Sequence, residues 1–211
     1  MRFVVLGVAA AMAIAAPAAA VTFTVNVGAS RAVPTNNNYI RQFAALGLTS
    51  ITTTGASISL SAPALLRFEY FGSESGFVNT FSIAGSTPPL SFTETNKVPF
   101  GPTPMFSASA AAGLVNNWLF SSTSSLGEQN KGIGTANFAI YIPRAAEAAG
   151  SFVSNVLYLG FDDQINNRDD DFEDFVVRVE VVPEPQSWAM LIAGFGLVGA
   201  IRRRRTQAVS A

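Results

Sequence analysis

The 211-residue chain contains no cysteine and no histidine. The first absence removes disulfides, thiol catalysis and cysteine-ligated zinc. The second removes the commonest general base and the commonest transition-metal ligand, and makes a Ser-His-Asp triad impossible. Hydrolysis built on carboxylates, Lys or Tyr stays open. Charge is scarce as well: Asp, Glu, Lys and Arg make up only 13% of the residues. A helical cytosolic domain, whose exposed faces usually carry many Lys and Glu, is disfavoured by that balance.

What is present points to a β-rich body. Ser, Thr, Asn and Gly are plentiful, and 17 Phe supply the bulk of a sandwich core. The length fits one domain plus targeting segments. Net charge is −1 overall, but it averages unlike parts. Without residues 1–20 and 186–211, which take Arg2 and Arg202 to Arg205 with them, eight basic and fourteen acidic residues remain, a net of −6. An acidic body argues against nucleic acid as a partner.

Both ends read as addresses. Residues 1–20, MRFVVLGVAAAMAIAAPAAA, have the three parts of a secretory signal. Arg2 is the positive region, Phe3 to Ala16 the apolar stretch, and Ala18-Ala19-Ala20 an A-x-A site for signal peptidase, with cleavage after Ala20. At the other end, Trp188 to Ile201 is an unbroken run of 14 apolar or small residues. As a helix it measures about 21 Å, short of a hydrocarbon core of about 30 Å. Trp188 suits one interface and snorkelling arginines the other, so a transmembrane helix over about 187–201 is expected in the inner membrane. Arg202, Arg203, Arg204 and Arg205 then stay cytoplasmic with the short tail 206–211, leaving the N-terminal body outside.

Pro183-Glu184-Pro185, a two-residue spacer, Trp188-Ala189, the Gly-rich apolar run and the Arg cluster resemble the PEP-CTERM sorting signal of Gram-negative bacteria, in its PEP-x-x-W-A variant. That resemblance covers about the last 25 residues. It implies an exported protein recognised by an exosortase, a membrane transpeptidase, with cleavage near Pro-Glu-Pro. It also implies release to or attachment at the cell surface, often in organisms making exopolysaccharide. A sorting tail leaves the chemistry of its cargo open.

Between the ends, residues 21–182 alternate with a period of mostly two. Val21, Phe23, Val25 and Val27 share one face, with Thr22, Thr24 and Asn26 on the other. Further strands are expected at Ser57 to Leu60, Leu65 to Phe71, Phe77 to Ile83, Leu90 to Thr95, Trp118 to Ser122, Asn137 to Ile142, Val153 to Phe161 and Phe175 to Val182. Turn chemistry separates them at Gly72-Ser73, Gly85 to Pro89, Pro99 to Pro104 and Gly127 to Gly134. The expectation is one all-β domain, a β-sandwich of jelly-roll type. Asn38 to Gly47 fits either one helix, capped by Asn38 and stopped by Gly47, or an irregular loop.

YLGFDDQINNRDDDFEDFVVRVEVV, residues 158–182, holds every Asp in the chain: Asp162, Asp163, Asp169, Asp170, Asp171 and Asp174. Glu173 adds another carboxylate, and Arg168 is the only basic residue from Asp162 to Asp174. Crowded carboxylates repel unless cations or donors compensate. Two readings fit. One is a solvated acidic hairpin that protects an edge strand. The other is a structural Ca²⁺ site drawing on Asp162, Asp163, Asn166, Asp169, Asp171, Glu173 and Asp174, with Asp169, Asp171 and Asp174 leading. It is not an EF-hand: counting from Asp162 puts Gln164 at position 3 and Asn167 where Gly is needed, and the flanks read as strands. The run from Phe161-Asp162-Asp163 through Asp169-x-Asp171-Phe172-Glu173-Asp174-x-Val176 is similar to an acidic element of secreted bacterial β-domains.

The functional expectation is a non-enzymatic surface or extracellular-matrix protein associated with exopolysaccharide. A lectin-like module or adhesin is the alternative, with Trp118, Tyr39, Tyr70 and Tyr141 as a sugar platform. Thr52-Thr53-Thr54 with Ser57 and Ser59 offers a Thr-rich ice-binding face, but no T-x-T ladder repeats. A glycoside hydrolase needs two carboxyls facing across a cleft, whereas most acids here fall in one segment.

Overall fold

A computed structural model of the chain describes residues 19–94, 101–124, 127–164, 170–182 and 194–196. In chain order its first strands are β1 (Phe23–Asn26), β2 (Ser30–Ala32), β3 (Ser50–Thr52), β4 (Ser57–Leu60) and β5 (Ala64–Gly72). Then come β6 (Asn79–Ile83), β7 (Leu90–Thr93), β8 (Thr103–Ala110), β9 (Gly113–Val115) and β10 (Trp118–Ser122). The last are β11 (Lys131–Gly132), β12 (Phe138–Ile142), β13 (Ser151–Ser154), β14 (Val156–Phe161) and β15 (Phe175–Val182). Two short helices interrupt them, α1 (Ile40–Ala45) and α2 (Arg144–Ala149).

The strands pair antiparallel in three sheets: β13-β1-β4-β9, β11-β10-β6-β7, and a seven-stranded sheet β2-β3-β12-β14-β15-β5-β8. The body is therefore all-β, as its alternation predicts. One aromatic core joins the sheets. Phe68 of β5 meets Trp118 of β10 edge-on with centroids 5.3 Å apart, and Trp118 meets Phe23 of β1 at 6.2 Å. Phe120 of β10 stacks on Phe161 of β14 at 5.2 Å. Edge-to-face and offset contacts are the arrangements that ring quadrupoles favour.

The pleat divides the large sheet between two cores. In β12, Phe138, Ile140 and Ile142 enter the main core, while Ala139 and Tyr141 enter a second cluster with Phe43, Phe71, Phe172 and Val176. Successive residues of a strand point to opposite faces, so a strand covered on both faces reads as one apolar run. The cover on the second face is α1, whose buried residue Phe43 stacks on Tyr141 with centroids 3.7 Å apart. The helix that the Asn38 to Gly47 pattern allowed is thus present. Its cap differs: Tyr39 occupies the N-cap position without a side-chain cap bond, and Gly47, at φ 76°, takes the left-handed conformation that follows the helix.

β5 and β15 run side by side in this sheet, between β14 and β8, and position everything that follows. Their register pairs Arg178 with Glu69 and Glu180 with Arg67. Val176 faces Gly72 and Val177 faces Tyr70, so Phe71 is one residue extra, a bulge that turns its ring into the second core.

Candidate metal centre

Antiparallel pairing brings the end of one strand beside the start of its partner. Here the chain leaving β5 at Gly72 meets the chain entering β15 at Phe175, and Glu74 N–H donates to the Glu173 carbonyl at 3.3 Å. A third segment, Asn36 to Tyr39, closes over the junction on its way into α1. Carboxylate oxygens of Glu74, Asp171 and Glu173 lie within 4.8 Å of one another. Two unit charges at that separation repel by roughly 3–4 kcal/mol at an effective dielectric near 20. Asp171 and Glu173 are buried and Glu74 is exposed, so the group opens to solvent through Glu74.

The asparagines hold this group together. Asn36 Nδ2 donates to Asp171 Oδ2 at 3.2 Å, and Asn38 Nδ2 to Glu74 Oε2 at 2.9 Å. The backbone N–H groups of Asn38 and Tyr39 both donate to Glu173 Oε2. Asn37 is buried and used throughout: its amide donates to Tyr141 Oη at 3.1 Å and to the Asp171 carbonyl at 2.7 Å, and its Oδ1 accepts from Tyr39 N–H at 2.9 Å. Tyr141 hydroxyl donates in turn to the Phe172 carbonyl at 3.0 Å. Burial holds the Tyr141 phenol well above its ordinary range, so it stays a neutral donor.

One oxygen is left over. Glu173 Oε1 is buried and has no hydrogen-bond partner among the described residues. Burial, and then the negative charges of Asp171 and Glu74, push the Glu173 carboxyl up to about 8 despite the two N–H donors. An unmatched buried carboxylate oxygen is costly, because desolvation is not repaid.

Of the other acids of the segment, Asp163 and Asp174 share a hydrogen-bonded network, with Asp162 beside it. Asp163 Oδ2 accepts from Ser75 hydroxyl and from Asn79 Nδ2 (2.8 Å), while Asp163 N–H donates to Asp174 Oδ2 at 2.8 Å. Asp162 Oδ1 accepts from Gln164 N–H at 3.0 Å. Asp174 is pushed up to about 9 by burial and by the charges of Asp163, Asp171 and Asp162, against a hydrogen bond from Asp163 N–H. A carboxyl raised that far is mainly neutral at pH 7.

The acidic segment expected from the sequence is thus divided. Asp171 and Glu173 join Glu74, and Asp163 and Asp174 sit in the neighbouring network, with Asp162 beside it. Asn166 and Asp169 lie outside the described residues. Sequence reading missed Glu74 and the three asparagines. They are far from Asp171 along the chain, and only the pairing of β5 with β15 and the docking of α1 unite them. Asn36-Asn37-Asn38 beside Tyr39 was a visible polar run, but it carried no signal of its partner.

Other expected sites meet different outcomes. Trp118, Tyr39, Tyr70 and Tyr141 are all buried, so they form no surface sugar platform: each ring is needed in a core. Thr52 is buried too, its hydroxyl accepting from Gly28 N–H at 2.8 Å, and it belongs to a different sheet from Ser57 and Ser59. Buried packing therefore removes it from any flat ice-binding face. Ala20 is exposed, and Ala18 lies outside the described residues. So do Pro183, Glu184, Pro185, Trp188 and Arg202 to Arg205. Among the described residues no helix is long and apolar enough to cross a membrane; of the expected span only residues 194–196 are described, and they are helical.

An all-β body that closes with β15 and is followed by a Pro-Glu-Pro tail has the layout of a sorted cargo protein. The family model of the PEP-CTERM protein-sorting motif matches residues 181–205. The chain carries this sorting signal, which implies an exported protein processed by an exosortase and destined for the cell surface or the exterior. No curated protein and no solved structure matches the chain.

Proposed function

We propose that the chain is a non-enzymatic surface or extracellular-matrix protein, associated with exopolysaccharide and separated from its membrane tail by an exosortase. The observation that carries this reading is the sorting motif that directly follows the all-β body. The sorting motif starts at residue 181, and β15, the last strand among the described residues, runs to Val182 between β14 and β5. Pro183 and Pro185 have no N–H with which to extend a ladder. Cleavage at Pro-Glu-Pro then leaves every sheet whole. Export exposes the acidic body to the solvent in which polysaccharides are found, and its carboxylates lie packed together instead of facing across a cleft, which favours a structural role over glycoside hydrolysis. Signal peptidase removes residues 1–20 on this reading, and the helix over about 187–201 holds the chain in the inner membrane until the exosortase acts.

The test is fractionation of cells with and without exosortase, following the protein's mass and location. With the enzyme, the body is expected at the surface or in the medium, lacking its tail. Without it, the tail-bearing form is expected in the inner membrane. An intact tail in both strains contradicts the reading.

A further inference from the structure

We propose that Glu74, Asp171 and Glu173 form a calcium site that fastens the Asn36–Tyr39 segment and the Ser73–Glu74 turn to the entry of the last strand. Carboxylate oxygens from the three residues already converge within 4.8 Å. A cluster of acids alone would not distinguish a site from a solvated patch. The second observation does: Glu173 Oε1 is buried and has no hydrogen-bond partner among the described residues. A cation among the three carboxylates supplies the missing partner and cancels the mutual repulsion in one step.

The donor chemistry selects the ion. All three side chains offer oxygen, and the chain has neither His nor Cys to recruit a softer metal. Calcium takes six to eight oxygens in flexible geometry, whereas magnesium demands a near-ideal octahedron and keeps several waters. Asn36 and Asn38 add to the set. Each now points its Nδ2 at a carboxylate oxygen. The two ends of an amide are nearly isosteric, and a half-turn of the group presents Oδ1 to the ion. Entry requires no unfolding, because Glu74 is exposed.

The site also acquires a place of action. Calcium sites of extracellular modules work with dissociation constants on the order of 10⁻⁴–10⁻³ M. A site this weak fills only where calcium is abundant, so the body is fastened outside the cell. This inference does not rest on exosortase processing, and the two fail separately: one is read by ion binding, the other by the mass and location of the chain.

The experiment uses the full chain in detergent micelles, stripped with EGTA and exchanged into chelator-free buffer. Equilibrium dialysis with CaCl₂ is expected to give about one ion per chain with a dissociation constant on the order of 10⁻⁴–10⁻³ M. At 5 mM calcium the melting temperature is expected to rise by about 3–6 °C, and much less in MgCl₂. Glu74→Gln and Asp171→Asn are expected to weaken binding at least about tenfold, as loss of one charged ligand does. Glu74→Gln is the deciding variant, since its side chain is exposed and its circular dichroism should match the parent. Absence of saturable binding up to 5 mM overturns the proposal. So does equal affinity for magnesium, or a Glu74→Gln chain that binds calcium like the parent.

Discussion

Two sets of carboxylates lie along the same pair of strands, and they meet the cost of their charge in opposite ways. On the outer face of β5 and β15, Glu69 and Glu180 alternate with Arg67 and Arg178. Arg178 bonds both Glu69 and Glu180, the latter at 3.0 Å, and Arg67 reaches Glu180 and, at 3.4 Å, Glu69. Burial raises the Glu180 carboxyl, yet hydrogen bonds from Arg178 and Arg67 outweigh it and hold the group below its ordinary range. At the end of the same strands, Glu74, Asp171 and Glu173 crowd together, and Glu173 is pushed up to about 8. The ladder is complete within the chain. At the junction one buried oxygen, Glu173 Oε1, has no hydrogen-bond partner among the described residues. Identical residue types therefore titrate differently, and the partner within reach is what separates them.

The largest way to break the comparison is to disturb the junction from beneath. Gly160 of β14 lies under the acidic segment: a Cβ there would stand 2.4 Å from the Phe172 carbonyl oxygen and 2.9 Å from the Tyr141 ring. The nearest obstacle is backbone, which cannot rotate away. Phe172 is itself at φ 62°, a conformation rare for an aromatic residue, so the segment has little room to adapt. Gly160→Ala is expected to cost about 3 kcal/mol in chemical denaturation and to abolish calcium binding. A variant with parental stability would show that the segment yields, and that its acids are not held in place.

A sharper comparison makes one chemical change in both places. Glu69→Gln removes a charge from a nearly buried partner of Arg178. It should cost about 2 kcal/mol, less than a fully buried pair because Glu180 remains to pair with the guanidinium. Glu173→Gln removes a charge that has no guanidinium paired with it among the described residues, and a Gln oxygen can still accept from Asn38 and Tyr39. In EGTA its stability is expected within about 1 kcal/mol of the parent, given how little a neutral isostere changes there. Urea titrations of the two variants without calcium check the contrast. Equal losses would mean that the junction is as self-sufficient as the ladder.

The ladder was legible in the sequence and the junction was not, for a physical reason. In FVVRVEVV, Phe175, Val177, Val179 and Val181 share one face with Arg178 and Glu180 on the other, and Phe175 to Val182 is recovered residue for residue as β15, as are Ser57 to Leu60 and Trp118 to Ser122. Period two also placed Phe23 and Val25 in the core, where both are fully buried. Thr103–Ala110, by contrast, sets only the small Ala108 and Ala110 beside Phe106 on its core-facing stripe, too little bulk to mark β8 by pattern alone, and its order comes from pairing with β5. Val153 to Phe161 read as one strand but splits at Asn155 into β13 and β14, which join different sheets. Local pattern cannot report a change of sheet. The acids were visible as a cluster in one segment, yet half of the candidate centre comes from residues 36–38 and 74. Their approach depends on register and on α1, which are tertiary facts.

The smallest expected effect tests whether mere nearness to the junction matters. Asp170 immediately precedes Asp171, but its carboxylate points outward to Arg31 at 3.7 Å, with both side chains about half exposed. Arg31 also donates to the Asp170 carbonyl at 2.7 Å and lies over the Phe172 ring, 5.4 Å from its centroid. An exposed pair of this kind contributes about 0.2–1 kcal/mol and fades with salt. Asp170→Asn is therefore expected to cost under about 0.5 kcal/mol, because the carbonyl contact and the ring contact of Arg31 survive the change. Calcium affinity should move by less than about twofold, since a screened charge beyond the cluster alters binding only weakly. Matched dialysis of Asp170→Asn and Glu74→Gln at 0.15 M NaCl measures this directly. If both variants lose calcium alike, general acidity of the segment attracts the ion, and the geometry built by Glu74, Asp171 and Glu173 does not.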